Sequence, residues 1–172
     1  MDEEREISIA AEGLSIAAEK LTCRYSLIVT NVPFRQSDDL VPLLQDLARR
    51  AYPDSKTDLA TIFLDRLLEL LDVGGMLACV LPQGFLYKDY YSKFRKRVFA
   101  SKSVPLLARL GPGAFQEISG EEVKVVLSVF VDKRVTQNVF VNQLDASQEY
   151  DELGRSGVLC NGSIKSTSQK SI

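Results

Sequence analysis

The stretch YSLIVTNVPFRQ, residues 25–36, decides how the chain is read. Its first six residues have the aromatic, β-branched and apolar character of a buried strand. The run then stops in Asn31-Val32-Pro33-Phe34. A strand that ends in an amide, a proline and an aromatic ring has two readings. In one, the tetrapeptide is a strand-terminating turn and Phe34 folds into the core. In the other, the amide and the ring stand where α/β sheets bind their ligands, beyond the carboxyl end of a strand.

The elements around this stretch favour an α/β sheet. MLACVLP, VPLLARL and VKVVLSVFV read as continuous apolar strands, and NVFVNQL as a fifth. Between the first two strands, KTDLATIFLDRLLELLD carries Leu59, Phe63, Leu67 and Leu70 in one line. Ile62, Leu64, Leu68 and Leu71 widen it, so the spacing predicts a helix packed between a sheet and other elements. Gly74-Gly75 is read as its C-terminal stop. YKDYYSKFRKRVFA predicts a second helix with Tyr87, Tyr91, Phe94 and Val98 on one face. DLVPLLQDLARRAYP reads as a loop and a short helix broken at Pro53. Strands that alternate with helices and are apolar on both faces imply a mostly parallel sheet covered by helices.

The amino-terminal segment repeats SIAAE at Ser8 and Ser15, seven residues apart, which sets Ile9 and Ile16 on one face beside Leu14 and Leu21. An amphipathic helix over residues 1–24, docked on the sheet, is the expectation; a coiled-coil seam needs more heptads. The end of the chain, residues 153–172, is polar and aperiodic and predicts a disordered tail.

Composition narrows the chemistry. There are 172 residues, a net charge of −2 and 26% charged side chains, so no overall basic signature of nucleic-acid binding is present. No apolar run approaches the roughly 20 residues of a membrane helix, and the acidic start lacks the pattern of a signal peptide. A cytoplasmic protein is expected. Histidine is absent, which removes Ser-His and Cys-His nucleophiles and most transition-metal sites. Cys23, Cys79 and Cys160 fit neither a disulfide framework nor a zinc site. Glu117, Glu121 and Glu122 read as loop charges, with no metal constellation.

Beyond the tetrapeptide, YPDSKTDLATIFLDRLLELLDVGGMLACVLPQGFLYKDYYSKFRKRVF, LGPGAFQEISGEEVKVVLSVF and VFVNQLDASQEYDE follow in order. With YSLIVTNVPF, this set resembles the adenine-N6-specific DNA methyltransferases of the type II restriction-modification and phage-exclusion kinds. The likeness spans Tyr25 to Glu152. It implies a class I, Rossmann-like S-adenosylmethionine-dependent methyltransferase fold with a late antiparallel strand.

It also implies a chemistry. The target adenine is flipped out of the duplex, and its exocyclic nitrogen is a poor nucleophile because its lone pair is delocalised into the ring. By resemblance, the Asn31 side-chain oxygen and the Val32 carbonyl hold the amino group. Pro33 belongs to the same catalytic motif, and Phe34 stacks on the base. The family motif has a proline where this chain has Val32.

What the resemblance expects ahead of Tyr25 is a Gly-rich strand-to-helix loop for S-adenosylmethionine, followed by an acidic ribose ligand. Residues 1–24 do not supply it, and Gly111-Pro112-Gly113 follows a late strand, where a loop at the sheet edge is its expected role. The expectation is therefore the second half of a catalytic domain, residues 25–152, unable to methylate alone. It would work with DNA and with a separate cofactor-binding or specificity chain, or pair with itself as a homodimer. Two alternatives stay open: a non-catalytic remnant or interaction subunit, and a protein-glutamine or RNA methyltransferase using the same Asn-Pro-Pro-aromatic device. Lys88, Lys93, Arg95, Lys96 and Arg97 form a local basic excess that could touch phosphates, or could simply be a solvated helix face.

Overall fold

Residues with strand character around Tyr25 and Met76 pair side by side and form the start of a six-stranded sheet in this computed structural model. It describes residues 2–114, 123–135, 139–149 and 151–171. The strands are β1 (Tyr25–Asn31), β2 (Leu71–Pro82), β3 (Ser103–Gly111), β4 (Val125–Val131), β5 (Phe140–Asp145) and β6 (Lys165–Ser168). Their order is β1-β2-β4-β3-β5-β6. β1 and β2 are parallel, as are β3 and β5. β4 runs antiparallel between β2 and β3, and β6 antiparallel on β5. Four strands thus share one direction, and β4 is the late antiparallel strand that the resemblance implied.

The short helix α2 (Pro42–Ala51) and helix α3 (Leu59–Glu69) lie between β1 and β2, and α3 makes the crossover that a parallel pair needs. Asp58 caps it, its side chain accepting from the Ala60 N–H at 2.8 Å. The buried stripe of α3 is Ala60, Leu64 and Leu68, with Thr61 and Asp65 beside it, while Phe63 is exposed. The stripe that widens the apolar line in sequence is therefore the one that meets the sheet. Helix α4 (Ser92–Ser101) buries Phe94, Val98 and Phe99 on the same side. Tyr91 enters the core just before it, and Tyr87 stays exposed. Together with Leu77, Cys79 and Leu81 of β2 and Val126 and Phe130 of β4, these side chains make one core. Burial pushes the Cys79 thiol up to about 12.

Gly74 and Gly75 do not end a helix. The helix stops at Glu69, capped by Leu70 in ordinary right-handed geometry, and the glycines lie inside β2. Tyr25 pairs with Leu71 and Leu27 with Met76, so β2 bulges over residues 72–75. Gly74 has φ +79°, and a Cβ on Gly75 would sit 2.7 Å from the Tyr25 carbonyl oxygen. Both positions need glycine for the bulge.

Two further expectations change. The tail read as disordered contains α5 (Glu152–Asn161) and β6. Asp151 caps α5 through the Gly154 N–H at 2.6 Å. Beyond β6, Gln169 is buried and bonded at three points: its Oε1 accepts from Val104 N–H at 2.9 Å, and its Nε2 donates to the carbonyls of Phe99 and Lys102 at 2.8 and 2.6 Å. One polar side chain thereby fastens the end of the chain to the carboxyl terminus of α4.

Helix α1 (Asp2–Thr22) does not dock on the sheet. Ile9, Leu14, Ile16 and Leu21 are all exposed. Among the described residues it is tied near its end, where Tyr25 Oη donates to the Lys20 carbonyl at 2.7 Å and Arg66 Nη2 to the Leu21 carbonyl at 2.8 Å. One face of the sheet at β1 is also open: Leu27 and Val29 on β1 and Met76 on β2 are exposed. β1 is an edge strand.

Candidate functional site

Asn31 is the last residue of β1 and lies opposite Val80 of β2. Its side chain is exposed and makes no hydrogen bond among the described residues. Val32, next to it, is 4% exposed and joins the core. Pro33 is exposed. Phe34 is half-buried and packs against the core. The two sequence readings of NVPF are thus not exclusive. Phe34 anchors one side of its ring in the core and keeps the remainder accessible at the rim.

The segment after Phe34 is held in place from below. The Arg35 carbonyl accepts from Leu59 N–H at 2.8 Å, Ser37 N–H donates to the Thr57 carbonyl at 3.0 Å, and Gln36 pairs with Asp58 in an isolated antiparallel bridge. Gln36 Nε2 also donates to Asp58 Oδ2 at 3.2 Å. Asp58 therefore serves two elements with its two oxygens, the start of α3 and the loop that follows the motif. Burial pushes its carboxyl above the usual carboxylate range, against the lowering pull of backbone N–H groups and Lys88.

Beneath Asp58 lies a buried polar layer. Ser55 Oγ donates to Asp65 Oδ2 at 2.8 Å. The Thr61 hydroxyl lies 2.6 Å from the Ser55 carbonyl and 2.8 Å from that of Asp58, and 3.4 Å from the Tyr91 hydroxyl. Burial raises the Tyr91 phenol far above its ordinary value. The YPDSKTD segment is thereby bonded to α3, and it carries the loop that presents Phe34.

The second strand end on this rim is Gln83–Leu86, a 3-10 turn at the end of β2 in which Gln83 and Phe85 are buried. The basic segment separates into two groups. Arg97 binds Asp65, and Arg95 Nη1 donates to the carbonyls of Phe85 and Lys88 at 3.1 and 2.7 Å. Both arginines brace α4 and the turn before it. Lys93 and Lys96 are exposed, and the Lys88 ammonium sits 5.6 Å from the Tyr90 ring centroid. A hydrogen bond with Tyr90 pushes the Lys88 pKa up.

The residues described do not fit a cofactor cradle of the expected kind. Ahead of β1 stands helix α1, whose Gly13 approaches nothing. The glycines at 111 and 113 have another role. Gly111 has φ +71° and packs on Ser147, where a Cβ would meet backbone at 2.7 Å. Arg155, buried in α5, donates to the carbonyls of Pro112 and Gly113 at 2.7 and 3.1 Å. That loop is a fastening between β3 and α5. Sequence reasoning missed Arg155 and Gln169, because neither belongs to a periodic pattern. Glu117, Glu121 and Glu122 lie outside the described residues.

Comparison with known proteins identifies the family and the fold. The model of the Eco57I restriction-modification methylase family matches residues 3–114. The match begins inside α1, ahead of the segment in which sequence motifs are legible. Two curated proteins are similar: the adenine-specific methyltransferase BrxX of Escherichia coli O9:H4 (strain HS), 30% identical over 132 residues, and the adenine-specific methyltransferase PglX of Lacticaseibacillus casei (strain Zhang), 28% identical over 131. Each alignment takes in 76% of this chain, which spans 11% of the length of either relative. Among solved structures, a type I restriction-modification methyltransferase subunit from Streptococcus thermophilus superposes with a TM-score of 0.60 at 15% identity, over 87% of this chain and 36% of that one. That likeness identifies the fold, an S-adenosylmethionine-dependent methyltransferase sheet.

Proposed function

The chain belongs to the Eco57I restriction-modification methylase family, and from that premise we propose that it carries the base-holding half of a DNA adenine-N6 methyltransferase. The observation that carries the proposal is the placement of Asn31 and Phe34. An exposed amide ends β1, an accessible ring follows three residues later, and the loop behind them is pinned to Asp58. Both relatives are named adenine-specific methyltransferases, which supports adenine as the base.

In this reading Asn31 Oδ1 and the Val32 carbonyl accept the two N–H bonds of the adenine amino group. Holding both draws the nitrogen toward a tetrahedral geometry and frees its lone pair. Phe34 stacks on the flipped ring. The protein cost of this preorganisation is met before the base arrives, in the polar layer under the loop. S-adenosylmethionine, bound elsewhere, would supply the methyl group. The described residues offer no cradle for it. The cofactor-binding part falls to another segment or chain.

The place for that part is the open side of β1. Among the described residues its edge has no neighbouring strand, and Leu27, Val29 and Met76 leave an apolar face open. Such an edge favours strand addition by a partner. A cofactor-binding chain or a second copy of this one would cover it. A non-catalytic interaction role uses the same surface without the chemistry. No described helix is long and apolar enough to cross a membrane.

Calorimetry and reconstitution test the proposal together. Alone, the chain should show no saturable binding of S-adenosylmethionine at micromolar ligand. Mixed with the cofactor-binding part of a related enzyme, it should transfer labelled methyl groups to adenine-containing DNA. Labelling of protein or RNA instead of DNA would select the other methyltransferase reading. No transfer from a mixture that does bind the cofactor would leave the interaction role.

A further inference from the structure

A cavity of about 410 Å³ lies on the same rim, one strand from Asn31, between Gln83, Leu86, Tyr87, Arg109 and Lys124. Its residues come from three neighbouring strands. Gln83 follows β2, Lys124 precedes β4, and Arg109 is near the end of β3. The Gln83 N–H donates to the Lys124 carbonyl at 2.8 Å, which fixes the floor. Arg109 and Gln83 reach toward each other across the start of β4. With its amide oxygen turned to the guanidinium, Gln83 accepts from Arg109 Nη2 at 2.9 Å and Nε at 2.6 Å. On the other side, Arg109 Nη1 donates to Asp145 Oδ2 at 2.9 Å.

The donors do not cancel out. A guanidinium has five N–H bonds; Gln83 takes two and Asp145 takes one, which leaves two for a ligand. The Lys124 ammonium and the Tyr87 hydroxyl add donors at the mouth, where both side chains are exposed. Asp145 is the one carboxylate bonded to Arg109 among the described residues, and it holds the guanidinium from the far side. Gln83 is 5% exposed. A buried amide that orients an arginine, itself tethered at two points, is a preorganised anion seat with its fork already set.

We propose that the cavity between Gln83, Tyr87, Arg109 and Lys124 seats a phosphodiester of the nucleic-acid strand that carries the target base. Strands about 4.8 Å apart place the cavity roughly 5–15 Å along the rim from Asn31, a reach that a nucleotide or two of strand covers. The seat would fix where the strand runs while Asn31 and Phe34 receive the base, since phosphate contacts set register and leave sequence reading to other groups. The assignment rests on the nucleic-acid reading above, and the experiment is chosen to separate the two.

Binding of an adenine-containing single-stranded oligonucleotide to the whole chain is followed by fluorescence anisotropy across a salt series. In parallel, the Arg109 side-chain resonance is followed by NMR on adding the oligonucleotide or inorganic phosphate. The expected result is a shift of the Arg109 signal with both probes. The slope of log affinity against log salt should flatten by about 0.7 in Lys124→Gln, the value of one lost single-strand phosphate contact. Lys124→Arg should restore it, and Lys124→Gln should melt as the parent does, its side chain being exposed. Oligonucleotide binding with an unchanged slope in Lys124→Gln and a still Arg109 signal would overturn the seat and spare the nucleic-acid reading. Phosphate binding without oligonucleotide binding would overturn both, leaving a site for small anions. Silence with both probes would overturn the seat.

Discussion

The Arg97 guanidinium grips the Asp65 carboxylate with two parallel bonds, Nη1 to Oδ1 at 3.0 Å and Nη2 to Oδ2 at 2.6 Å. Asp65 is 4% exposed and the Arg97 side chain 48% exposed. The pair joins α4 to α3 directly under the loop that carries Phe34.

Removing the arginine would leave a buried carboxylate with only the Ser55 hydroxyl. A broken buried pair costs about 3–5 kcal/mol. Arg97 is half in water, so Arg97→Ala should cost roughly 3 kcal/mol, the low end. Arg97→Lys should recover little, because an ammonium cannot make the parallel fork. Urea unfolding measures both. A midpoint for Arg97→Ala equal to that of the parent would mean the pair is ornamental.

Gln169 offers a second test of the core's boundary. Gln169→Ala strands one N–H and two carbonyls in a buried setting. Unpaired buried groups cost about 1–3 kcal/mol each, and partial rescue by water brings the expected loss to about 3 kcal/mol. Gln169→Glu keeps the acceptor and loses both donors, so it should fall nearly as far. The variant tail should also become sensitive to protease near β6. Equal protection in parent and Gln169→Ala would show that the strand pairing with β5 suffices alone.

The fold's parts differ in how much of them the sequence makes legible, and these two residues show why. Strands β1 to β5 and helices α3 and α4 announce themselves through apolar period and length. The strand end bearing Asn31 and Phe34 stands out only through the resemblance carried by the ordered segments after it. The end of the chain is different. Its order comes from single polar side chains, Arg155 on the Pro112 and Gly113 carbonyls and Gln169 on the end of α4. Averaged composition cannot see such fastenings. Helix α1 errs the other way. Its stripe is plain in the SIAAE repeat, but a stripe states only that something covers it, not that the sheet does. Gly74-Gly75 looks the same whether a helix ends or a strand bulges, and pairing with Tyr25 decides. The cavity at Arg109 draws on three strand ends brought together only by insertion of β4, so no local motif marks it.

Asp58 should make stability rise, not fall, on mild acidification. Its folded pKa lies above the unfolded value of 3.8 because burial disfavours the charge. Protonation therefore favours the native state. The effect of this group appears as pH drops through the folded pKa and is complete below 3.8. Asp58→Asn keeps a capping oxygen for the Ala60 N–H and removes the buried charge, while the exposed Gln36 amide can turn its oxygen to meet the new Nδ2 donor in place of its bond to Oδ2. It should be at least as stable as the parent at pH 7, with the gap closing toward pH 4. The comparison needs urea midpoints at both pH values. A variant that is less stable at pH 7 by more than about 1 kcal/mol would show that the charge, not the oxygen, does the capping.

Self-association is the outcome expected from the open side of β1. Leu27, Val29 and Met76 on the sheet and Ile9 and Ile16 on α1 are exposed together with an unpaired edge. Without another partner, the isolated chain should form a homodimer through this side. Light scattering over a tenfold concentration range should give twice the monomer mass. The double variant Ile9→Glu with Ile16→Glu should give the monomer mass with little change in unfolding of the monomer, since both side chains already face water. A monomeric parent at every concentration would remove the dimer.

Asn31 and Phe34 divide chemistry from capture, and both can be read in an enzyme reconstituted with its cofactor-binding part. Asn31 makes no side-chain hydrogen bond among the described residues and is exposed, so Asn31→Ala should leave the melting curve in place. If its oxygen holds the adenine amino group, the same change should slow methyl transfer on the order of 100-fold or more, with DNA affinity nearly unchanged. Phe34 is half-buried against the core. Phe34→Ala should therefore cost about 1–2 kcal/mol of stability, well below the 3–5 kcal/mol of a fully buried ring. Loss of stacking should weaken base capture by roughly another 1–3 kcal/mol. Phe34→Tyr should restore both, because it keeps the ring face. The decisive pattern is a split: rate lost without stability at Asn31, affinity lost with modest stability at Phe34. A Phe34→Ala variant that loses more than about 3 kcal/mol of stability, beside an Asn31→Ala variant of full activity, would reduce NVPF to the turn that ends a strand.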